Sequence, residues 1–376
     1  MRMLIARSVH PLPGEHERRT RLLGLVNAFG RRRVAVVGDI VADEFLTGQI
    51  SRVSREAPVL ILRYDATRIM PGGGGNAANN VAALGGHVDL CGLVGLDDAG
   101  GALLEAFPAT VRRSGVLRRA GFRTPTKTRV LAGGIHSAKQ QIVRIDREPA
   151  GPPSPGIIRA FTAKVLAAVG QADAVVLSDY GYGLITPALA EAVTTRVKRS
   201  KRRRAVPVLI DSRYRLAEYR GLAACTPNEP EAEQLLGVRI NDNPETLERA
   251  GRLLLRRLRM GAVLITRGSR GMALFEPRMP TVHIPIFGTD EIADVTGAGD
   301  TVIAALALAL AAGASYYEAA RLANYAGGLV VMKRGTATVS AEELRQAIES
   351  DHDTTTESWS QEGPQQGRRR VAEPSE

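Results

Sequence analysis

The chain has 376 residues, of which 44% are hydrophobic and 4% aromatic, and its formal net charge at pH 7 is +11. This hydrophobic content can bury a full core, and the length allows one large domain or two modest ones. No stretch reaches the ~18 uninterrupted apolar residues of a membrane span, and the N-terminus lacks the apolar core of a signal peptide, so we expect a cytoplasmic protein with no membrane partner.

Residues 1–32 predict a polar lead that contains one amphipathic helix. The run "RVAVVGD" from Arg33 predicts a first buried strand. Later apolar runs such as "ADAVVLSD", "VPVLIDS" and "GAVLITRG" alternate with helical patterns. This alternation predicts an α/β fold in which helices cover both faces of a mostly parallel sheet.

Two segments interrupt that alternation, because residues 44–70 and 124–146 carry β-rich runs with no helix between them. They predict a small antiparallel sheet that projects from the main one. Such a sheet could close over a ligand as a lid or provide the contact of a homodimer, and the two roles can coexist. The polar stretch from Asp351 predicts a disordered tail over 351–376, since it has little to bury.

The positive charge is concentrated in short runs, such as "RVKRSKRRR" from Arg196, and none is interleaved with aromatic residues. Nucleic-acid binding normally needs aromatic stacking platforms or a reading helix. The runs therefore favour solvated helix ends and tails over a nucleic-acid partner, with phosphorylated small molecules as a further use of the charge. Cys91 and Cys225 lie in apolar runs and predict two buried thiols rather than a disulfide or a metal site.

Polar residues follow the first strand and precede an Ala-rich helix. Asp39 and Asp43 lie beyond the end of "VAVVGD", and "PGGGGNAANN" contains Gly72, Gly73 and Asn76. Ligands of open α/β sheets bind at the carboxyl ends of the strands. Carboxylates and an amide suit a polyol because they pair with adjacent hydroxyl groups. A hinge without ligand contact explains the glycine run equally well.

The stretch "CTPNEPEAE" places Asn228 and Glu231 three positions apart at the start of a helix. Their oxygen atoms could hold the water shell of a Mg²⁺ ion that bridges phosphates. The alternative is a capping box, with Asn228 as the N-cap and Glu231 at the third helical position.

The stretch "DVTGAGDT" predicts a tight turn followed by a helix. Gly297 and Gly299 let the backbone approach a ligand closely, and the first N–H groups of the helix can bind an anion. Asp300 would then lie beside that anion, where a carboxylate can accept the proton of an attacking hydroxyl group. A carboxylate that only stabilises the helix dipole is the alternative.

Taken in order, "GD…D", "PGG…N", "TPNxxE", "TRGxxG" and "DVTGAGDT" resemble the ribokinase-like (PfkB) carbohydrate kinases, over residues 33–348. Within them, "SRVSREAPV", "LSDYGYG" and "LANYAGGLVVMKRGTATVS" are most similar to the bacterial D-glycero-β-D-manno-heptose 7-phosphate kinases. The resemblance implies an ATP-dependent enzyme with a three-layer α/β/α fold. The kinase domain would cover 33–350, with the small sheet as its lid.

The resemblance also implies the site residues. Asp300 would be the catalytic base and the amides of Gly297, Ala298 and Gly299 the anion hole. ATP and Mg²⁺ would be the cofactors, with a monovalent cation as a further candidate. The nucleotide would be bound by Asn228, Glu231, Thr266, Gly268, Gly271 and Asn324, of which Asn228 and Glu231 would hold the metal through water. The sugar would be bound by Asp39, Asp43, Gly72, Gly73, Asn76, Asp179, Arg52, Lys127 and Arg144.

The chain departs from the heptose kinases at two positions. Tyr182 stands where they have Lys in "SDYxKG", and Arg55 stands where they have Pro in "SPEAP". The binding of an acceptor phosphate is therefore open, with Arg52, Arg55, Lys127 and Arg144 as candidate cations. No His-x-Gly-His motif of a fused nucleotidyltransferase follows residue 350. A kinase of another sugar, sugar phosphate or nucleoside is one alternative, and a non-catalytic sugar-binding regulator is another.

Overall fold

A computed structural model describes residues 14–133, 139–200, 204–288, 294–333 and 335–351. The tail predicted at 351–376 therefore lies outside the described residues except for Asp351, as do the first 13 residues of the predicted lead. The helices are α1 (Glu15–Asn27), α2 (Gly74–Ala83), α3 (Asp98–Glu105), α4 (Pro155–Val169), α5 (Pro187–Lys198), α6 (Glu229–Leu236), α7 (Pro244–Leu258), α8 (Ala298–Ala312), α9 (Tyr316–Val331) and α10 (Ala341–Ser350).

The strands form two sheets. The central sheet has nine strands in the order β13-β12-β11-β10-β9-β8-β1-β4-β5, and the small sheet has the order β3-β2-β6-β7. The strands are β1 (Arg33–Gly38), β2 (Ile40–Val53), β3 (Leu60–Gly73), β4 (His87–Gly95), β5 (Val111–Arg119), β6 (Thr126–Gly133), β7 (Gln140–Arg147), β8 (Ala174–Asp179), β9 (Val208–Ser212), β10 (Ala224–Cys225), β11 (Ala262–Thr266), β12 (Met272–Phe275) and β13 (Val282–Ile284).

The central sheet confirms the predicted α/β fold. Its strands pair in parallel from β5 to β11, and only β12 and β13 run antiparallel at one edge. One apolar core packs α1, α2, α8, α9 and α10 on one face, and a second packs α4, α5 and α7 on the other. Helix α8 is buried over nearly its whole length, which its run of Ala and Leu makes possible.

The small sheet corrects one prediction. It was expected to be antiparallel, but β2 and β6 pair in parallel, with Asp43 opposite Lys127. The reason is topological: β2 follows β1 directly and β6 follows β5, and both strands leave the central sheet at the carboxyl edge. The outer pairs, β2 with β3 and β6 with β7, are antiparallel as expected.

Two further expectations can be compared with the structure. Cys91 and Cys225 are both buried and free, as predicted. Within the described ranges, no helix combines the length and the apolarity that crossing a bilayer requires.

A glycine in α7 tests how tightly the second core is packed. A Cβ added at Gly251 would lie 2.2 Å from the ring of Phe275. We expect Gly251→Ala to lower the free energy of unfolding by about 1–3 kcal/mol, because a full core cannot accept the methyl group without moving the ring. Urea unfolding measures the change.

Gly24→Ala is the matched control, since a Cβ added at Gly24 in α1 meets no atom within 4 Å. We expect this substitution to be neutral or to stabilise by up to ~1 kcal/mol through helix propensity. Equal effects of the two substitutions would contradict the packing argument.

Candidate active site

Asp300 lies in the first turn of α8 and is 4% exposed. One carboxylate oxygen accepts a hydrogen bond from Asn76 Nδ2 at 2.9 Å, and the other accepts one from the Tyr180 hydroxyl at 3.3 Å. Burial raises the pKa of the Asp300 carboxyl to about 7, and the Asp43 carboxylate adds to the rise, while the two hydrogen bonds oppose it. A carboxyl group with a pKa near the working pH is well suited to proton transfer.

A buried polar chain fixes the orientation of Asn76. The Thr301 hydroxyl donates to Asn80 Oδ1, and Asn80 Nδ2 donates to Asn76 Oδ1 at 3.2 Å. Asn76 Nδ2 is thereby directed at Asp300 and, at 3.3 Å, at the carbonyl oxygen of Gly297. A Cβ at Gly297 would lie 2.4 Å from the same nitrogen, so only glycine fits there. The sugar-binding role of Asn76 stays a prediction.

The turn before α8 presents backbone N–H groups beside this carboxylate. Gly297 is the N-cap with φ +79°, a conformation that glycine adopts readily. The N–H of Ala298 donates to Val295 O and that of Thr301 to Gly297 O. Gly299 and Asp300 have no backbone N–H partner within the described part of the chain. These two amides can therefore receive an anion, whereas that of Ala298, which was predicted to do so, is engaged here.

Two further buried carboxylates, Asp39 and Asp43, lie close to this part of the site. Asp39 accepts hydrogen bonds from the backbone N–H of Tyr180 at 2.8 Å and of Tyr182 at 3.4 Å, and burial still raises its pKa to about 7. Burial also raises the pKa of Asp43. A Cβ at Gly72 would lie 2.2 Å from an Asp43 carboxylate oxygen, which explains the glycine. Asp39, which follows β1, and Asp43, in β2, are thus two buried acids near the site, and the charge of Asp43 acts on Asp300.

Two of the four candidate cations of the small sheet are paired with an acid. Lys127 Nζ lies 3.4 Å from Asp146, and Arg144 binds the same carboxylate through two nitrogens at 2.9 and 3.0 Å. Arg52 and Arg55 are exposed on the outer part of the lid.

Sequence reasoning missed Arg129, which forms an ion pair with Asp43 and covers the Phe45 ring at 5.4 Å. Its signal was available, because residues i and i+2 of a strand share a face and Arg129 is two positions after Lys127.

A cavity of about 560 Å³ extends from Asp300 along the carboxyl edge of the central sheet. All six predicted nucleotide-binding residues line it: Asn228, Glu231, Thr266, Gly268, Gly271 and Asn324. Asn228 and Glu231 also form the capping box that was the alternative interpretation, with hydrogen bonds of 2.8 and 3.0 Å. The capping contacts and the cavity contacts coexist, so the sequence alternatives were not exclusive.

Asp211, Arg213 and Thr226 are among the lining residues of this cavity that were not predicted. Asp211 lies near the end of β9, Arg213 follows that strand, and Thr226 follows β10. Burial raises the pKa of Asp211 well above its usual value, and the carboxylates of Glu231 and Asp300 add to the rise. Thr226 is 4% exposed, and its hydroxyl has no partner among the described residues.

This donor set fits a hydrated cation better than a directly ligated one. No group of three or more His, Cys, Asp or Glu residues forms a metal cluster in the described ranges. A Mg²⁺ ion keeps several waters and is held by one or two carboxylates together with phosphates. Asp211 and Glu231, whose pKa values are raised, and the unpaired Thr226 hydroxyl match those needs.

Asp179, predicted to bind substrate, is engaged within the protein. One of its carboxylate oxygens accepts from the Gly181 N–H at 3.0 Å, and the other accepts from the hydroxyls of Ser212 at 2.9 Å and Tyr219 at 2.7 Å. The side chain is 1% exposed and ties the ends of β8 and β9 together. Its contact with a substrate stays a prediction.

Comparison with known proteins gives a family match. A profile described as "pfkB family carbohydrate kinase" matches residues 31–344. The "Bifunctional protein HldE" of Pelobacter propionicus is 41% identical over 329 residues, which cover 86% of this chain and 65% of that protein. The protein of the same name from Caulobacter vibrioides is 40% identical over 325 residues, with 86% and 65% covered. The chain therefore spans less than two thirds of the length of these relatives.

Solved structures show the same fold at lower identity. Arabidopsis thaliana ribokinase complexed with ribose and ATP aligns with a TM-score of 0.65 and 22% identity, covering 85% of this chain and 99% of that chain. Escherichia coli phosphofructokinase-2 in complex with potassium aligns with a TM-score of 0.68 and 18% identity, covering 85% and 98%. These likenesses confirm the expected ribokinase-like architecture with its separate small sheet.

The raised pKa of Asp300 predicts a pH-dependent stability. Between its unfolded value of about 4 and its folded value of about 7, the native state binds more protons than the unfolded state. The free energy of unfolding therefore falls as pH rises through this window. Asparagine does not titrate, so Asp300→Asn lacks this pH-dependent fall in the free energy of unfolding. The difference in the free energy of unfolding, variant minus wild type, should therefore increase from about pH 5 to about pH 8. Urea unfolding at both pH values checks this, and a pH-independent difference would contradict it.

Proposed function

The chain belongs to the pfkB family of carbohydrate kinases and is an ATP-dependent sugar kinase, and we propose that its acceptor is D-glycero-β-D-manno-heptose 7-phosphate. The product would be the 1,7-bisphosphate, formed by phosphorylation of the anomeric hydroxyl. The observation that carries the proposed mechanism is the position of Asp300, which lines the cavity of about 560 Å³ beside the glycine turn and is close enough to the buried Asp43 for that carboxylate to raise its pKa.

In this mechanism Asp300 accepts the proton of the attacking hydroxyl group. Its carboxyl must be ionised to do so, and a pKa of about 7 allows that near neutral pH. The N–H groups of Gly299 and Asp300 stabilise the negative charge that develops at the start of α8. When bound, ATP supplies the transferable phosphoryl group and a hydrated Mg²⁺ neutralises part of its charge. A monovalent cation is a further candidate cofactor.

Arg213 is the cation that this mechanism needs on the phosphoryl group. It lines the same cavity as Asp300 and Gly299, and it interacts electrostatically with Asp211, Glu231 and Asp300. A guanidinium group between these carboxylates offers several donors to phosphate oxygens. We therefore propose that Arg213 neutralises part of the negative charge of the phosphoryl group during its transfer.

The acceptor would be held by Asp39 and Asp43 through its hydroxyl groups, with its phosphate near the lid. The similarity to the heptose kinases in "SRVSREAPV" and "LSDYGYG" supports a sugar phosphate. Lys127, Arg129 and Arg144 are cations of the small sheet, and each pairs with Asp43 or Asp146. A dianionic phosphate would have to exchange with one of those carboxylates.

A second candidate is an unphosphorylated sugar. It is favoured by Tyr182, which stands where the heptose kinases have lysine. Burial raises the pKa of Tyr182, and the nearby acids Glu148, Asp39 and Asp146 add to the rise. Acids around this side chain disfavour a phosphate there.

We also propose that the chain forms a homodimer through the lid. Contiguous exposed apolar side chains on a small protein surface commonly mark an interface. The lid exposes Ile50, Val53, Val59, Leu60, Tyr64, Ile142, Val143 and Ile145.

Replacing the base tests the mechanism. We expect Asp300→Asn to lower turnover roughly 10²–10⁴-fold while ATP binding is preserved, because the lost interaction is proton transfer. Asp98→Asn is the matched control, since Asp98 is an exposed acid in the first turn of α3. Steady-state kinetics measures both. Similar effects of the two substitutions would reduce Asp300 to a residue that only stabilises its helix.

The acceptor is tested by incubating the enzyme with ATP, Mg²⁺ and a panel of sugars and sugar phosphates, with product mass as the readout. We expect the heptose 7-phosphate to give the bisphosphate. Lys127→Ala should raise KM for the phosphorylated acceptor about tenfold or more, because a charge-assisted contact contributes ~1.5–3 kcal/mol.

Lys139→Ala is the control, since Lys139 also lies on the lid but pairs with Asp65. A wild type that prefers an unphosphorylated sugar would overturn the heptose assignment and leave the kinase assignment intact.

A further inference from the structure

A second cavity, of about 600 Å³, lies at the edge of the central sheet opposite to Asp300. Several of the residues that line it precede or begin the strands β9 and β10, whereas at the active site Asp211 lies near the end of β9 and Thr226 follows β10. The remaining walls are the end of α5, the end of α8 and the start of α9. None of these residues belongs to the kinase site described above.

The charges of this cavity favour an anion. Lys198 and Arg204 line it, and the described lining residues include no Asp or Glu. Lys198 belongs to the last turn of α5. A guanidinium nitrogen of Arg204 donates to Ala312 O at the end of α8, at 3.5 Å, which holds the side chain at the wall. Two cations without a lining acid create a positive potential that a phosphate can satisfy.

The other lining residues indicate which chemical group is attached to the anion. Val197, Val206, Leu222 and Leu310 supply an apolar surface, and the hydroxyls of Thr194, Ser200, Ser315 and Tyr316 lie among the same lining residues. A polyol favours carboxylate partners, which this lining lacks, whereas a flat heterocycle matches apolar walls. The volume lies within the ~300–1,000 Å³ typical of small-molecule sites.

We propose that this cavity is a second ligand site that binds a nucleoside monophosphate and is coupled to the kinase site. Lys198 and Arg204 bind the phosphate, and the apolar wall receives the base. The physical link is α8, which carries Asp300 in its first turn and Leu310 near its end. Because α8 is packed on nearly all sides, displacement of one end moves the other. Strand β9 makes a second link, from Val208 at the cavity to Asp211 at the kinase site.

Binding is tested on the full chain by calorimetry with AMP and UMP as probes, in the presence of a saturating non-hydrolysable ATP analogue that blocks the kinase site. We expect one further site in the wild type. Lys198→Ala and Arg204→Gln should each weaken that binding about tenfold or more, since each removes a charge-assisted contact. Glutamine keeps a donor for Ala312 O, and Arg199→Ala, at the C-cap of α5 outside the lining, should leave binding unchanged.

Inorganic phosphate serves as a third probe and should bind more weakly than either nucleotide, because it leaves the apolar wall uncovered. Equal binding of phosphate and nucleotides would overturn the nucleoside assignment. Unchanged binding in both Lys198→Ala and Arg204→Gln, or no site beyond the blocked one, would overturn the proposal as a whole.

Coupling is tested by measuring the affinity for the ATP analogue with and without AMP. Linkage requires that AMP change this affinity by the same factor by which the analogue changes the affinity for AMP. At an AMP concentration near the wild-type Kd, we expect a measurable factor in the wild type and in Arg199→Ala, and a smaller factor in Lys198→Ala, because its site is less occupied. A factor of one in the wild type would overturn the coupling.

Discussion

The structure depends on one costly placement, a carboxylate buried at the start of an apolar helix. Helix α8 consists mostly of Ala, Leu, Val and Ile, and Asp300 lies in its first turn with a side chain that is 4% exposed. Burial opposes the charged form, whereas the side-chain hydrogen bonds from Asn76 and Tyr180 and the charge of Arg213 favour it. The balance leaves the carboxyl able to gain and lose a proton near neutral pH, which an exposed aspartate does not do. The burial of Asp300 therefore lowers the stability of the folded protein, and it makes the carboxyl group more reactive in proton transfer.

The surrounding elements maintain that placement. The chain from Thr301 through Asn80 to Asn76 fixes the amide that faces Asp300, and Gly297 leaves room for it. Asp179 joins the ends of β8 and β9 and so holds the segment that carries Tyr180. Several buried polar residues therefore act on the site without having to touch a ligand.

The sequence predicted the parts of this arrangement that local rules determine. Alternating apolar runs gave the parallel sheet, and "DVTGAGDT" gave the turn and the acid at the start of α8. The contact between Asn76 and Asp300 spans 224 residues, and no local pattern encodes it. The place of Arg129 on the same face as Lys127 follows from side-chain alternation along β6 and could have been predicted. Asp211 and Arg213 were missed because their roles come from the pairing and order of strands. The parallel pairing of β2 with β6 was missed for the same reason, since strand direction depends on where each strand leaves the central sheet.

The most direct measurement is an NMR titration of the protein labelled with ¹³C at the aspartate carboxyl carbons, compared with the same titration of Asp300→Asn. The account predicts a wild-type carboxyl resonance whose midpoint is near pH 7 and which is missing from the variant. Asp39 should give a second resonance in the same range, present in both proteins. If the resonance that disappears in the variant titrates near the ordinary aspartate value of about 4, Asp300 is not the buried base described here.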